Sequence, residues 1–311
     1  MMYFPYFRGR MYELLALKEL AASDLLSKSV IPVVEPIKLT STFDSLLNAF
    51  AKASLDLAIV YNPEVGDLSD ETDTFNLLHS KLLPYQNIIP SILMNDSAEA
   101  AIKSFESKKI HKSNVLTVLD RRDFVENYTE LFETDSPKYT LAPDERQIRR
   151  NVKNGKVLFE DKFNKQEKNA DYLKEEDEFF SEDHVFYVEE GFEGFGDYSI
   201  IGNEYNDGGF APRAVAIHIV YFDEAHALRV YHFVSDSNID IHDTGSKFHE
   251  AVVKLQDWYN NGQSHQWTSA LQVLLNHAKD GTYPGLPTIK KLSTMHHLEL
   301  MGKYLDRSVN E

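Results

Sequence analysis

Acid–base and metal chemistry need imidazoles and carboxylates held within hydrogen-bonding reach, and the sequence offers a short list of them. His218 and His232 fall in two β-rich runs, 214–222 and 228–235, with Asp236 directly after the second. Imidazole nitrogens with a carboxylate suit Zn, Mn or Fe, so His218, His232 and Asp236 are the candidate ligands of a divalent metal, the one cofactor these residues suggest. The alternative is a pair of hydrogen-bonded structural histidines, and the unknown strand register leaves the choice open. Glu35 and Asp120 each follow a strand-like run, and Asp197 sits between Phe195 and Tyr198 in a glycine-rich block. With His232 as acid or metal ligand, Glu35, Asp120 and Asp197 are the candidate catalytic residues.

Basic residues at the same kind of position suggest what such a site would hold. Arg8-Gly9-Arg10 offers two guanidinium forks beside an unhindered backbone amide, an arrangement suited to phosphate. Lys38 follows Glu35, and Lys162 follows Glu160; an ammonium beside a carboxylate shifts the pKa of each. Arg8, Arg10, Lys38 and Lys162 are therefore the candidate ligand-binding residues, with ordinary ion pairs as the alternative. The adjacent His296 and His297 lie in a helical pattern, point about 100° apart, and read as interface or packing residues.

Other chemistries are excluded or disfavoured. With no cysteine there is no disulfide, thiolate zinc site or cysteine nucleophile. A formal charge of -17 argues against nonspecific nucleic-acid binding through a broad basic face. No apolar run approaches the roughly 20 residues that span a bilayer, so no membrane association is expected. The first residues lack the basic-then-apolar order of a signal peptide, and a cytoplasmic location is the expectation. No Gly-x-Gly-x-x-Gly turn follows the first strand-like run, and no Gly-x-Ser-x-Gly occurs.

Strand-like and helix-like segments alternate from the start. Runs 3–7, 30–37, 57–61, 88–94, 115–119, 139–142 and 157–159 read as strands. Amphipathic stretches separate them, including 11–26, 42–53 (with Ser41 or Thr42 available as N-cap), 74–83 and 97–105. This spacing predicts parallel strands joined by right-handed crossovers. The predicted fold is α/β, a (β/α)8 TIM-barrel-like architecture, with a doubly wound open sheet as runner-up and 214–221 as the eighth strand. Its carboxyl strand ends would form a polar mouth. The acidic stretch 164–183 reads as a solvated insertion, and 223–227 as the loop of a late β-hairpin. Residues 1–240 are expected to form the barrel domain, with 163–213 as insertion and glycine-rich loop. Residues 241–311 are expected as a helical C-terminal extension packed on it. Gly194, Gly196 and Gly202 suggest a tight bend that carries Asp197 toward the pocket.

The opening Tyr3-Phe4-Pro5-Tyr6-Phe7-Arg8-Gly9-Arg10, followed by Glu13 and Ala16-Leu17, resembles the start of a "beta protein" family of bacteria and phages. Ile31-Pro32-Val33-Val34-Glu35 and Phe195-Gly196-Asp197-Tyr198 are similar to further blocks of that family. Its closer subgroup resembles the chain at Ala216-Ile217-His218, His232–Asp236 and His296-His297-Leu298-Glu299. The resemblance implies no reaction. It implies a bacterial or phage-conflict setting and a companion protein.

Two functional expectations follow. As an enzyme, the protein would use acid–base or metal-assisted chemistry on a small polar, phosphate-bearing ligand at the barrel mouth. As a binding module, it would be catalytically silent and engage a companion protein through its acidic surface or C-terminal helices.

Overall fold

The computed structural model describes residues 1–71, 73–206, 208 and 212–308. The chain divides into two compact units, Met1–Asp161 with Phe186–Tyr198, and Lys162–Val185 with Ser199–Glu311.

The first unit is a parallel barrel. Its strands are β1 (Tyr6–Phe7), β2 (Val33–Val34), β3 (Leu57–Val60), β4 (Ile88–Leu93), β5 (Leu116–Val118), β6 (Tyr139–Ala142) and β7 (Lys156–Phe159). All are parallel and lie side by side in chain order. Helices α1 (Met11–Ala22), α2 (Ser41–Ala53), α3 (Thr74–Leu82), α4 (Ala98–Ser107), α5 (Val125–Leu131) and α6 (Arg146–Asn151) form the crossovers. Local chemistry explains these elements. In α2, Phe43, Leu46, Leu47 and Phe50 recur at three- and four-residue spacing and are buried. Thr40, rather than Ser41 or Thr42, caps that helix by accepting the Phe43 amide at 3.2 Å, and Ser54 ends it with φ 54°.

The eighth barrel strand is not the expected 214–221. It is β9 (Gly194–Gly196), parallel to β7. Backbone bonds Phe4 N to Phe195 O (2.8 Å), Tyr6 N to Asp197 O (2.8 Å) and Phe195 N to Met2 O (3.1 Å) bring the sheet round onto its first strand. Three residues with two glycines carry little strand propensity, so the run reads as a turn. Glycine serves here as space for close approach and not as a bend, because a Cβ on Gly196 would lie 2.3 Å from the Phe4 carbonyl oxygen. Alternation along the strands fills the interior with Phe4, Tyr6, Val33, Val60, Val118, Leu141, Phe159 and Tyr198.

The second unit is built on an antiparallel sheet. The expected hairpin is present as β10 (Ala216–Phe222) and β11 (Leu228–Val234), and β8 (Asp177–Ser181) adds to the other edge of β11. The acidic stretch is thus partly a strand and not only a solvated loop. Glu178 and Phe180 are buried, while Asp177 pairs with Arg229 at 3.0 Å and accepts the Tyr221 hydroxyl. The short α7 (Asp183–Phe186) follows, and α8 (Thr244–Trp258), α9 (Ser269–Asp280) and α10 (Leu286–Ser308) complete the unit. Among the described residues, no helix is long and apolar enough to cross a membrane.

Candidate functional site

Alternation also decides which side chains crown the barrel. Stepping by two from interior positions brings 6 to Arg8, 33 to Glu35, 60 to Asn62, 118 to Asp120 and 159 to Asp161. These residues sit at the carboxyl ends of their strands, where barrel chemistry is sited. Below them Tyr6, Phe159 and Tyr198 pack ring against ring at 4.8–5.9 Å and make an aromatic floor.

Glu35 is the most constrained acid of the mouth. It is 1% exposed, accepts the Tyr6 hydroxyl at 2.8 Å on one oxygen and the Glu64 amide at 2.7 Å on the other. Burial pushes its carboxyl up, against the opposing pull of Arg8, whose Nη1 lies 3.7 Å away. Three partners on so buried a carboxylate make Glu35 a holder of Arg8. Asp120 differs: its side chain is 44% exposed and within reach of a ligand. The surrounding walls still desolvate it enough to raise its carboxyl; Arg121 opposes that rise and Glu64 adds to it. Arg121 in turn pairs with Glu64, and its Nε lies 4.0 Å from Asp120. Asn62 donates to the Asn95 side chain at 2.9 Å and bonds both the carbonyl and the amide of Leu93 in β4, which ties two strand ends together.

The other candidates lie elsewhere. Asp197 does not face the mouth: it has opposite parity to Tyr198 and accepts the buried Tyr3 hydroxyl at 2.7 Å, beside the Tyr3–Phe195 ring stack. Arg10 precedes α1 and lies beside the Tyr12 hydroxyl at 3.5 Å. Lys38 is exposed and has no ion pair among the described residues. Lys162 belongs to the second unit, where it pairs with Asp183 at 3.0 Å.

The histidines also lie in the second unit. His218 and His232 are register partners whose Nδ1 atoms are 2.7 Å apart. Tyr172 covers both rings at 4.7 and 4.4 Å. Burial lowers His232 to about 4 and pushes His218 well down, so both are neutral at pH 7. Glu178 lies 3.3 Å from His232 Nε2 but out of line for a hydrogen bond. Asp236 is drawn off by Lys254 at 2.7 Å, so His218, His232 and Asp236 do not converge. Among the described residues no group of three histidine or acidic side chains is placed to hold a metal ion. His296 and His297 are buried, as packing residues would be. His296 bridges Thr268 and the Val220 carbonyl at 2.8 Å each, and His297 meets Ser199 at 2.9 Å.

Tyr6 and Tyr198 of the floor are missed in the sequence, whereas Glu64, Arg121 and Asp161 belong to the strand-end stretches 61–64, 120–123 and 160–162 expected to form the polar mouth. The two-residue parity of each strand would have found Tyr6 and Tyr198 and turned Asp197 away.

No protein-family model matches the chain, and comparison with curated proteins returns no match.

Proposed function

We propose that the barrel mouth binds a small polar ligand through an anionic group, with acid–base chemistry performed beside it. Arg8 takes the anion, a phosphate being the natural fit for its planar fork. Asp120 gives or takes the proton. Glu35, beneath them, keeps the guanidinium in place. The observation that carries this reading is the placement of one held arginine and one wet, upshifted carboxylate on the same strand-end ring. A raised carboxyl keeps its proton to higher pH than a free aspartate, which suits a group that must act as both acid and base. The phage-conflict setting and companion protein rest on the family resemblance alone.

Inorganic phosphate and phenyl phosphate, titrated calorimetrically, test the reading. Wild-type protein should bind both saturably. Arg8→Gln should weaken binding by about tenfold or more, as expected for losing charge-assisted hydrogen bonds. Asp120→Asn should bind at least as tightly, because a repelling charge is gone. Absence of binding to the wild type would defeat the proposal. So would a large drop in the thermal midpoint of Arg8→Gln with binding intact, which would make Arg8 a purely structural partner of Glu35.

A further inference from the structure

The second unit carries an open cleft of about 510 Å3, within the range of small-molecule pockets. Its walls are Tyr231, His232 and Phe233 of β11, Lys254, Asp257 and Trp258 of α8, and Glu176 just ahead of β8. Tyr231 and Phe233 stack at 4.5 Å and 21°. Trp258 stands at 66° to Phe233, 5.6 Å away, and 6.1 Å from Tyr231. Tyr231 and Trp258 remain half-buried, so part of this aromatic wall faces solvent.

The charges along the cleft are lopsided. The Lys254 ammonium is engaged within the protein, held by Asp236 at 2.7 Å and by the Val234 carbonyl at 2.8 Å. Glu176 is fixed through its carbonyl, which accepts the His232 amide at 2.7 Å, and its carboxylate lies 3.4 Å from the Tyr231 hydroxyl. Asp257 is exposed and has no ion pair among the described residues. Two carboxylates thus flank a cluster of electron-rich ring faces.

We infer that this cleft is a binding site for an organic ammonium group. A cation over an aromatic face is attracted by the ring quadrupole, and the attraction grows as water is displaced. Glu176 and Asp257 add a Coulombic pull of the same sign, and the net charge of -17 raises the local concentration of cations. An anion would meet both carboxylates. A hard metal ion would need several oxygen ligands where the walls supply rings. This site is independent of the barrel mouth.

The test uses Trp258 as reporter in a Trp267→Phe background, which removes the only other tryptophan. Choline is titrated against 3,3-dimethyl-1-butanol, a neutral molecule of the same shape. The expected result is a saturable change in Trp258 emission with choline, at roughly tenfold lower concentration than with the alcohol. Glu176→Gln and Asp257→Asn, both isosteric and on exposed or half-buried residues, should each weaken choline several-fold without moving the thermal midpoint. Equal responses to choline and the alcohol would show a merely apolar cleft and overturn the inference. A response reproduced by equimolar sodium chloride, or one unchanged in both variants, would overturn it as well.

Discussion

Gly196→Ala is expected to cost about 3 kcal/mol, the upper end of the range for overpacking a closed site. The added methyl would lie 2.3 Å from the Phe4 carbonyl oxygen and 3.1 Å from its carbon, with the Phe159 ring 3.2 Å away. The nearest atoms are backbone, and that backbone is pinned by the bonds that join the last barrel strand to the first. The closest contact, a backbone carbonyl, cannot yield by a rotamer change, so the seam itself must open. Gly245→Ala provides a contrast within α8, where the nearest atoms to a new Cβ are at 3.9 Å. There the gain in helix propensity should stabilise by up to about 1 kcal/mol. Urea denaturation of both variants measures the difference. If Gly196→Ala falls within about 0.5 kcal/mol of wild type, a range typical of surface substitutions, the seam is not a close-packed junction.

Glu13 should give the protein a pH dependence of opposite sign to that of its buried histidines. The residue is 1% exposed in the first turn of α1, and its carboxylate accepts the Arg10 amide at 3.0 Å. Burial lifts its pKa from 4.5 to about 7, opposed in part by that hydrogen bond and by the charge of Arg10. Between those values the folded protein keeps a proton that the unfolded chain has released. The folded state then binds more protons, so stability falls as pH rises through the window. Above about pH 7 the full cost, on the order of 3 kcal/mol, is present. His232 and His296, lowered to about 4, and His297, lowered to about 3, act the other way. Their protons bind the unfolded chain first, so their contribution to stability is lost as pH falls from about 6.5 toward those values. Glu13→Gln keeps an acceptor for Arg10 while removing the ionisation. The variant should match wild type near pH 4 and exceed it at pH 8 by up to about 3 kcal/mol. Parallel stability curves from pH 4 to 8 would show that the Glu13 carboxylate is not desolvated.

Much of the barrel was legible because its signals are local. Continuous apolar runs such as 30–37 and 57–61, separated by amphipathic stretches like 42–53, specify buried parallel strands and crossover helices without reference to distant residues. The hairpin was legible for the same reason, its turn being closed by the Asp223–Ala227 backbone bond between neighbouring segments. The eighth strand was not. Gly194–Gly196 has no intrinsic preference for extended structure and becomes a strand only because β7 and the N-terminal residues present it with two ladders. The role of β8 was hidden likewise: Asp177 and Glu178 read as solvent-facing charges until Arg229 and Tyr221 arrive from some fifty residues away to satisfy one of them.

The sequence by itself determined an acidic, cysteine-free α/β chain with polar residues at its strand ends, because composition and short-range periodicity depend only on neighbours. Tertiary structure alone decided which of those residues share a site. Arg8, Glu35 and Asp120 crown one ring since strand parity points each inward from its own strand, while Asp197 turns away beside Tyr198 and Asp236 is captured by Lys254. The physical reason is that a side chain's partners depend on strand register and on which face it occupies. Both are settled by hydrogen bonds between segments far apart in the chain.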